Sequence, residues 1–155
     1  MIQYISGNIF DSTADALVNP VNTVGVMGKG LALQFKNKYP ENFKVYFNLC
    51  KLKCFNIGDL LAVKEKNKII INFPTKEHWS DPSKYEYLLA GFHSLPEIIK
   101  GYDIKSIAVP KLGCGNGGLD WNVVKPLLES NLGSLPIDSF IYLEEQSIVK
   151  DIDAH

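Results

Sequence analysis

The sequence predicts a layered α/β fold with helices on both faces of one sheet. Three observations carry this. Strand-like and helix-like patterns alternate along the 155 residues. The runs Ile69-Ile70-Ile71 and Ile107-Ala108-Val109 are apolar on both faces, as strands covered on each side must be. Two glycine-rich loops each follow a strand pattern and precede a helix pattern, which places both at the carboxyl ends of strands, where ligand clefts form in such sheets.

In order along the chain, residues 2–5 are β-rich and end at the turn Ser6-Gly7-Asn8. Asn8 has two readings, a turn asparagine bonding its own backbone or an amide reaching a base edge. Asp11-Ser12-Thr13 is a cap or turn before a second strand over 14–18, continuing to Asn19. A helix is expected from Leu31 to Lys38, stopping before Pro40. A second follows over 41–52, with Phe43, Tyr46, Phe47 and Cys50 as its buried stripe. Gly58-Asp59 is a turn. Strands over 60–63 and 69–73 are joined by a charged hairpin whose lysines read as a solvated loop. The pattern over 83–99 is helical, with Pro96 expected to kink or shorten it. A strand over 106–109 ends in Pro110, Asp120 caps a helix over 121–131, and residues 137–143 form the closing strand. With no repeat or linker, residues 1–155 are expected to be one domain, frayed over 144–155.

Composition narrows the function. Hydrophobic residues make up 46% and net charge is −1, so no basic face announces broad nucleic-acid affinity. No apolar run approaches membrane-spanning length, and Cys50, Cys54 and Cys114 suit reduced thiols without a metal site. A cytoplasmic protein without metal, cofactor or membrane partner is expected.

The stretch Val18-Asn19-Pro20-Val21-Asn22-Thr23-Val24-Gly25-Val26-Met27-Gly28-Lys29-Gly30-Leu31-Ala32 has the build of an anion cradle. Glycines let successive backbone N–H groups converge, and the helix that follows adds its free donors. It is not a Walker loop, because Gly30 stands where the magnesium-binding hydroxyl belongs. Gly113-Cys114-Gly115-Asn116-Gly117-Gly118 satisfies G-x-G-x-x-G, but only one strand can follow it, which a dinucleotide-binding fold does not allow. The two loops are better read as opposite walls of one cleft for a ligand with adjacent phosphates. Lys29 can offset phosphate charge or face solvent.

Together with Pro110-Lys111-Leu112-Gly113-Cys114-Gly115, this stretch resembles a macrodomain over nearly the whole chain. The resemblance implies a three-layer α/β/α sandwich around a mixed sheet of about six strands. It also implies ADP-ribose held through Asn8, Ile9, Asn19 and the first loop (Thr23, Val24, Gly25, Met27, Gly28, Lys29, Gly30, Leu31). Thr75 and the second loop (Leu112, Gly113, Cys114, Gly115, Asn116, Gly117, Gly118, Leu119) complete the implied site. Asn8 replaces the aspartate usual for the adenine amino group, and its side-chain oxygen can still accept that bond.

The segment Asn72-Phe73-Pro74-Thr75-Lys76-Glu77-His78-Trp79 is similar to the branch that holds terminal ADP-ribose protein glycohydrolase and the DNA ADP-ribosyl glycohydrolase antitoxin of the DarT–DarG system. The resemblance implies that Lys76 is catalytic and that Asn22 contacts the distal ribose. The protein glycohydrolase pairs its lysine with an aspartate where this chain has Gly117, and Gly117-Gly118-Leu119-Asp120-Trp121 follows the DNA-directed pattern. The expected substrate is therefore single-stranded DNA carrying ADP-ribose on thymine, with a DarT-type toxin as partner. A hydrolase of ADP-ribosyl esters, O-acetyl-ADP-ribose or ADP-ribose 1″-phosphate is the first alternative, and a non-catalytic reader the second. Lys76 can act as an ammonium donor to the leaving group or as a neutral nucleophile. Trp79 can stack on a nucleobase or pack beneath the loop.

Overall fold

The computed structural model describes residues 1–144 and contains one six-stranded sheet. The strands are β1 (Ile2–Ile5), β2 (Ala16–Asn22), β3 (Leu61–Glu65), β4 (Lys68–Lys76), β5 (Ser106–Pro110) and β6 (Asp138–Tyr142), in the order β1-β6-β5-β2-β4-β3. All pair in parallel except β3, which is antiparallel to β4. The helices are α1 (Gly30–Lys38), α2 (Pro40–Lys51), α3 (Tyr85–Gly101) and α4 (Trp121–Gly133). A 3-10 turn spans Ile9–Asp11.

Alternation along the central strands divides the core into layers. Ala16, Val18, Ile69, Ile71 and Phe73 pack with Leu88, Phe92 and Leu95 of α3 and with Val124, Leu128 and Leu132 of α4. Leu17, Ile70 and Ala108 face the other way and meet Phe35 of α1 and Tyr39. Val21 and Met27 meet Tyr46 and Cys50 of α2 on that same side. The sheet thus lies between two helical layers, as the two-faced apolar runs require.

The sheet also parts where the cleft forms. Pairing of β2 with β5 ends at Ala16 with Ile107 and Leu17 with Ala108, although both strands run on. Beyond that point the side of β2 that faced β5 is open, so Pro20 can sit within a central strand without breaking a ladder bond to β5. Pro74 likewise lies past the last β3–β4 pair, Leu61 with Asn72. The prolines fall where the sheet splays.

Several expectations are corrected. The second strand runs from Ala16 to Asn22 rather than over 14–18, because β4 pairs with it as far as Lys76. In α2 the buried positions are Asn42, Tyr46 and Cys50, whereas Phe47 is 43% exposed. The helix over α3 continues through Pro96 to Gly101. Lys68 is not a solvated loop lysine: it is half-buried, its Nζ donates to the carbonyl oxygens of Ser12 (2.8 Å) and Ala14, and burial lowers its pKa. The expectation of a frayed tail concerns residues that, apart from Glu144, lie outside those described.

Candidate functional site

A cavity of about 440 Å³ opens at the carboxyl ends of the parallel strands. The strand ends supply Pro20, Val21 and Asn22 from β2, Thr75 and Lys76 from β4 and Pro110 from β5, with Glu144 just beyond β6. The first glycine loop adds Val26, Gly28 and Lys29, and the start of α1 adds Leu31 and Ala32. The second loop closes the opposite wall with Lys111, Gly113, Gly115, Asn116 and Gly117, and Trp79 stands on the lining as well. Both glycine loops therefore face one space.

Asn22 and Lys76 are brought together by register. Val21 pairs with Pro74 but Asn22 pairs with Lys76, so the register slips at Thr75 and sets the two polar residues side by side. The Asn22 amide is also the clamp of the first loop. Its Oδ1 accepts from the backbone N–H of Val24 (3.1 Å) and Val26 (3.2 Å), and its Nδ2 donates to the Val26 carbonyl (2.7 Å). The Tyr46 hydroxyl lies 2.8 Å from both the main-chain and side-chain oxygens of Asn22. Burial raises the Tyr46 phenol far above its ordinary range, so it remains protonated as a donor. One N–H of the Asn22 amide is left over by this pattern.

Lys76 is held at its head group. Its Nζ donates to the carbonyl oxygens of Trp79 (3.2 Å) and Asn116 (3.1 Å), which ties the end of β4 to the second loop. Its pKa lies below the ordinary lysine value, first because burial disfavours the charged form and next because Lys29 is nearby, with Asp81 opposing both. Three lysines and one carboxylate, Lys29, Lys76, Lys111 and Glu144, line the cavity. The cleft favours an anion although the chain's net charge is −1.

The two helix starts differ. At α1 the N-cap is Lys29, with no side-chain cap bond, so the first N–H groups of this helix are not taken by a capping side chain at the edge of the cavity. At α4, Asp120 Oδ1 accepts from the Asn122 N–H (2.9 Å), so this end is capped by its own chain. Of the two helix starts that follow the glycine loops, that of α1 is the one whose first donors no capping side chain occupies.

Among the expected site residues, Asn22, Gly28, Lys29, Leu31, Thr75, Lys76, Gly113, Gly115, Asn116 and Gly117 line the cavity. Others lie behind or beside it. Asn19 is fully buried and donates to Asn72 Oδ1 (3.2 Å) and toward Met27 Sδ (3.8 Å). Thr23 is spent on the Glu77 carbonyl, through its N–H (3.0 Å) and its Oγ1 (2.9 Å). Asn8 caps the 3-10 turn through Oδ1, accepting from the Phe10 N–H (2.9 Å), while Ile9 and Leu112 are core. Val24, Gly25, Met27, Gly30, Cys114, Gly118 and Leu119 are also outside the lining and shape the two loops. Gly113 has φ +75° and an added Cβ would stand 2.6 Å from Leu119 Cδ1, so the second loop needs glycine there.

Sequence reasoning had Pro20, Val21, Val26 and Ala32 in the cradle stretch without giving them a ligand contact, left Trp79 between stacking and packing, and did not include Pro110, Lys111 and Glu144 among the site residues. Pro110 and Lys111 directly precede the second loop and were within reach of the motif. Glu144 carries no local signal; the pairing of β6 between β5 and β1 brings it to the cleft, where Ser6 Oγ bonds its carboxylate. Cys50 is a buried thiol, pushed by burial up to about 11, which leaves it unreactive at neutral pH.

The macro domain profile matches residues 18–128, a span that contains both loops and Lys76. The chain belongs to the macro domain family. It is 50% identical over 147 residues to a DNA ADP-ribosyl glycohydrolase of Mycobacterium tuberculosis, covering 92% of this chain and 42% of that protein. Its fold matches the solved macrodomain of Mycobacterium tuberculosis DarG with a TM-score of 0.90 at 49% identity, over 93% of this chain and 98% of that one. It also matches Thermosipho africanus DarTG in complex with ADP-ribose, with a TM-score of 0.87 at 35% identity, over 98% of this chain and 44% of that one. This macro domain chain thus spans less than half the length of those longer relatives.

Proposed function

We propose that this macro domain hydrolyses the N-glycosidic bond between ADP-ribose and a nucleobase, thymine, in single-stranded DNA, reversing the modification made by a DarT-type toxin in the cytoplasm. The observation that carries the reading is Lys76, register-paired with Asn22 at the cavity wall and held there by two backbone carbonyls. An ammonium has three donors, and two are engaged. The third is available to the substrate.

In this reading the pyrophosphate lies between the loops, over the uncapped start of α1, and the spare Asn22 N–H orients the distal ribose. As the bond from the anomeric carbon to the base nitrogen breaks, its electron pair goes to the base and positive charge grows on the ribose. Lys76 gives a proton to the departing base, water adds to the anomeric carbon, and the proton released from that water restores the ammonium. Donation fits better than attack by a neutral amine, because both carbonyl partners of Lys76 accept hydrogen bonds and so favour the ammonium.

Gly117 supports DNA over protein esters. A Cβ there would stand 2.3 Å from Ser83 Oγ and 2.5 Å from the Gly113 carbonyl oxygen, so the loop as built has no room for the acid that the protein-directed enzyme carries. The DNA ADP-ribosyl glycohydrolase relative supports the same choice.

Lys76→Ala separates an enzyme from a reader. ADP-ribose binding by calorimetry should persist, while release from a modified oligonucleotide should fall by about 10²–10⁴-fold, the range for loss of a positioned proton donor. Turnover by Lys76→Ala at the wild-type rate overturns the assignment.

A further inference from the structure

We propose that the Trp79 indole is the stacking wall for the nucleobase that carries ADP-ribose, and so selects base-linked over carboxylate-linked substrates. This rests on the DNA reading above. Trp79 lines the cavity yet is 51% exposed, and it belongs to none of the three apolar clusters of the core. Trp121, by contrast, packs against the core. Leaving a large aromatic surface in water forgoes the gain from burying it, so an exposed indole on a cavity wall suits a ligand surface more than a packing role.

The position fits the leaving group. The Trp79 carbonyl accepts from Lys76 Nζ at 3.2 Å, so the indole is borne by the residue that touches the proposed proton donor. Lys76 and Trp79 line the same cavity, so a base departing toward Lys76 lies in the space that Trp79 bounds. The turn beneath the indole is stitched by three contacts: His78 Nδ1 with Ser80 Oγ (2.8 Å), Ser80 N–H to His78 Nδ1 (3.2 Å) and Asp81 N–H to the His78 carbonyl (3.0 Å). The His78 ring backs the indole at 5.0 Å between centroids. The platform is therefore held before substrate arrives, which limits the ordering cost of stacking. A planar base offers a π-face to an indole, whereas an aliphatic carboxylate offers none.

The test measures kcat/KM for ADP-ribose release from an oligonucleotide carrying ADP-ribosylated thymine and from the isolated ADP-ribosylated thymidine. Wild type, Trp79→Ala and Trp79→Phe are compared, with ADP-ribose affinity by calorimetry as the control. Trp79→Ala should lose about 5- to 150-fold on both substrates, the range for one base–aromatic stack. Trp79→Phe should recover most of that loss, and ADP-ribose affinity should stay close to wild type. The proposal is overturned if Trp79→Ala turns over at the wild-type rate, if Trp79→Phe falls as far as Trp79→Ala, if ADP-ribose affinity falls in parallel, or if only the oligonucleotide is affected, which would assign the indole to a neighbouring base. Absence of release by the wild type is a separate result: it removes the DNA reading, and this inference with it.

Discussion

At Lys76, burial and Lys29 lower the pKa from the ordinary 10.5, and the sign of that shift makes a pH prediction. A proton donor is competent below its pKa and loses competence as pH rises through it. Turnover should decline as pH rises through this lowered pKa, at a pH below 10.5. A rate that instead climbs over that window, together with a borohydride-trapped adduct at Lys76, would mark a neutral nucleophile and a Schiff base. Asn22 depends on its neighbours in a different way. Tyr46→Phe leaves two buried oxygens of Asn22 without their hydroxyl partner. The loss of a buried hydrogen bond costs about 1–3 kcal/mol, and part of it should appear as weaker ADP-ribose binding through a looser Val24–Val26 turn. Unchanged melting temperature and unchanged affinity would remove Tyr46 from the account. Lys76 and Asn22 were legible as cleft residues because each closes a short motif at the end of its own strand, β4 and β2. The turn reading of Asn8 was legible and the structure has it, but the local environments of Asn19 and Thr23 were not, since their polar atoms had core or backbone partners that a one-dimensional reading does not reveal.

Among the elements, the close approach of α3 to β4 is the sharpest constraint. A Cβ on Gly91 would stand 2.3 Å from Phe73 Cζ, and Phe73 is 1% exposed. Gly91→Ala should therefore cost about 1–3 kcal/mol in a denaturant melt through overpacking. An unaltered midpoint would mean that the Phe73 ring yields freely. Gly117→Asp belongs at this scale too. It should destabilise the second loop against Ser83 without creating activity on protein esters, and a gain of such activity would contradict the role given to Gly117. The strand–helix order and the Asp120 cap were readable from periodicity and capping chemistry. The extension of β2 through Pro20 was not, because proline argues against a central strand unless the ladder beside it has already ended, and that depends on β5. The buried face of α2 was misjudged for a related reason: Asn42 is buried against Asn72 through reciprocal amide bonds of 3.1 Å and 2.8 Å, which an apolar pattern does not register.

For the whole molecule, the parting of β2 from β5 makes the cleft, and the crossovers bring residues as far apart as Pro20 and Glu144 to its edge. Overall charge says little about this site, whose lining holds three lysines and one carboxylate within a chain of net charge −1. Among the described residues, no helix is long and apolar enough to cross a membrane. The function proposed for this cleft is removal of ADP-ribose from DNA. Its most direct test is side-by-side turnover of two substrates by the same preparation, a single-stranded oligonucleotide with ADP-ribosylated thymine and a peptide carrying a glutamyl ADP-ribose ester. Lys76-dependent release from the oligonucleotide, well above release from the ester, is the predicted result. Preference for the ester, or release that survives Lys76→Ala, would contradict it.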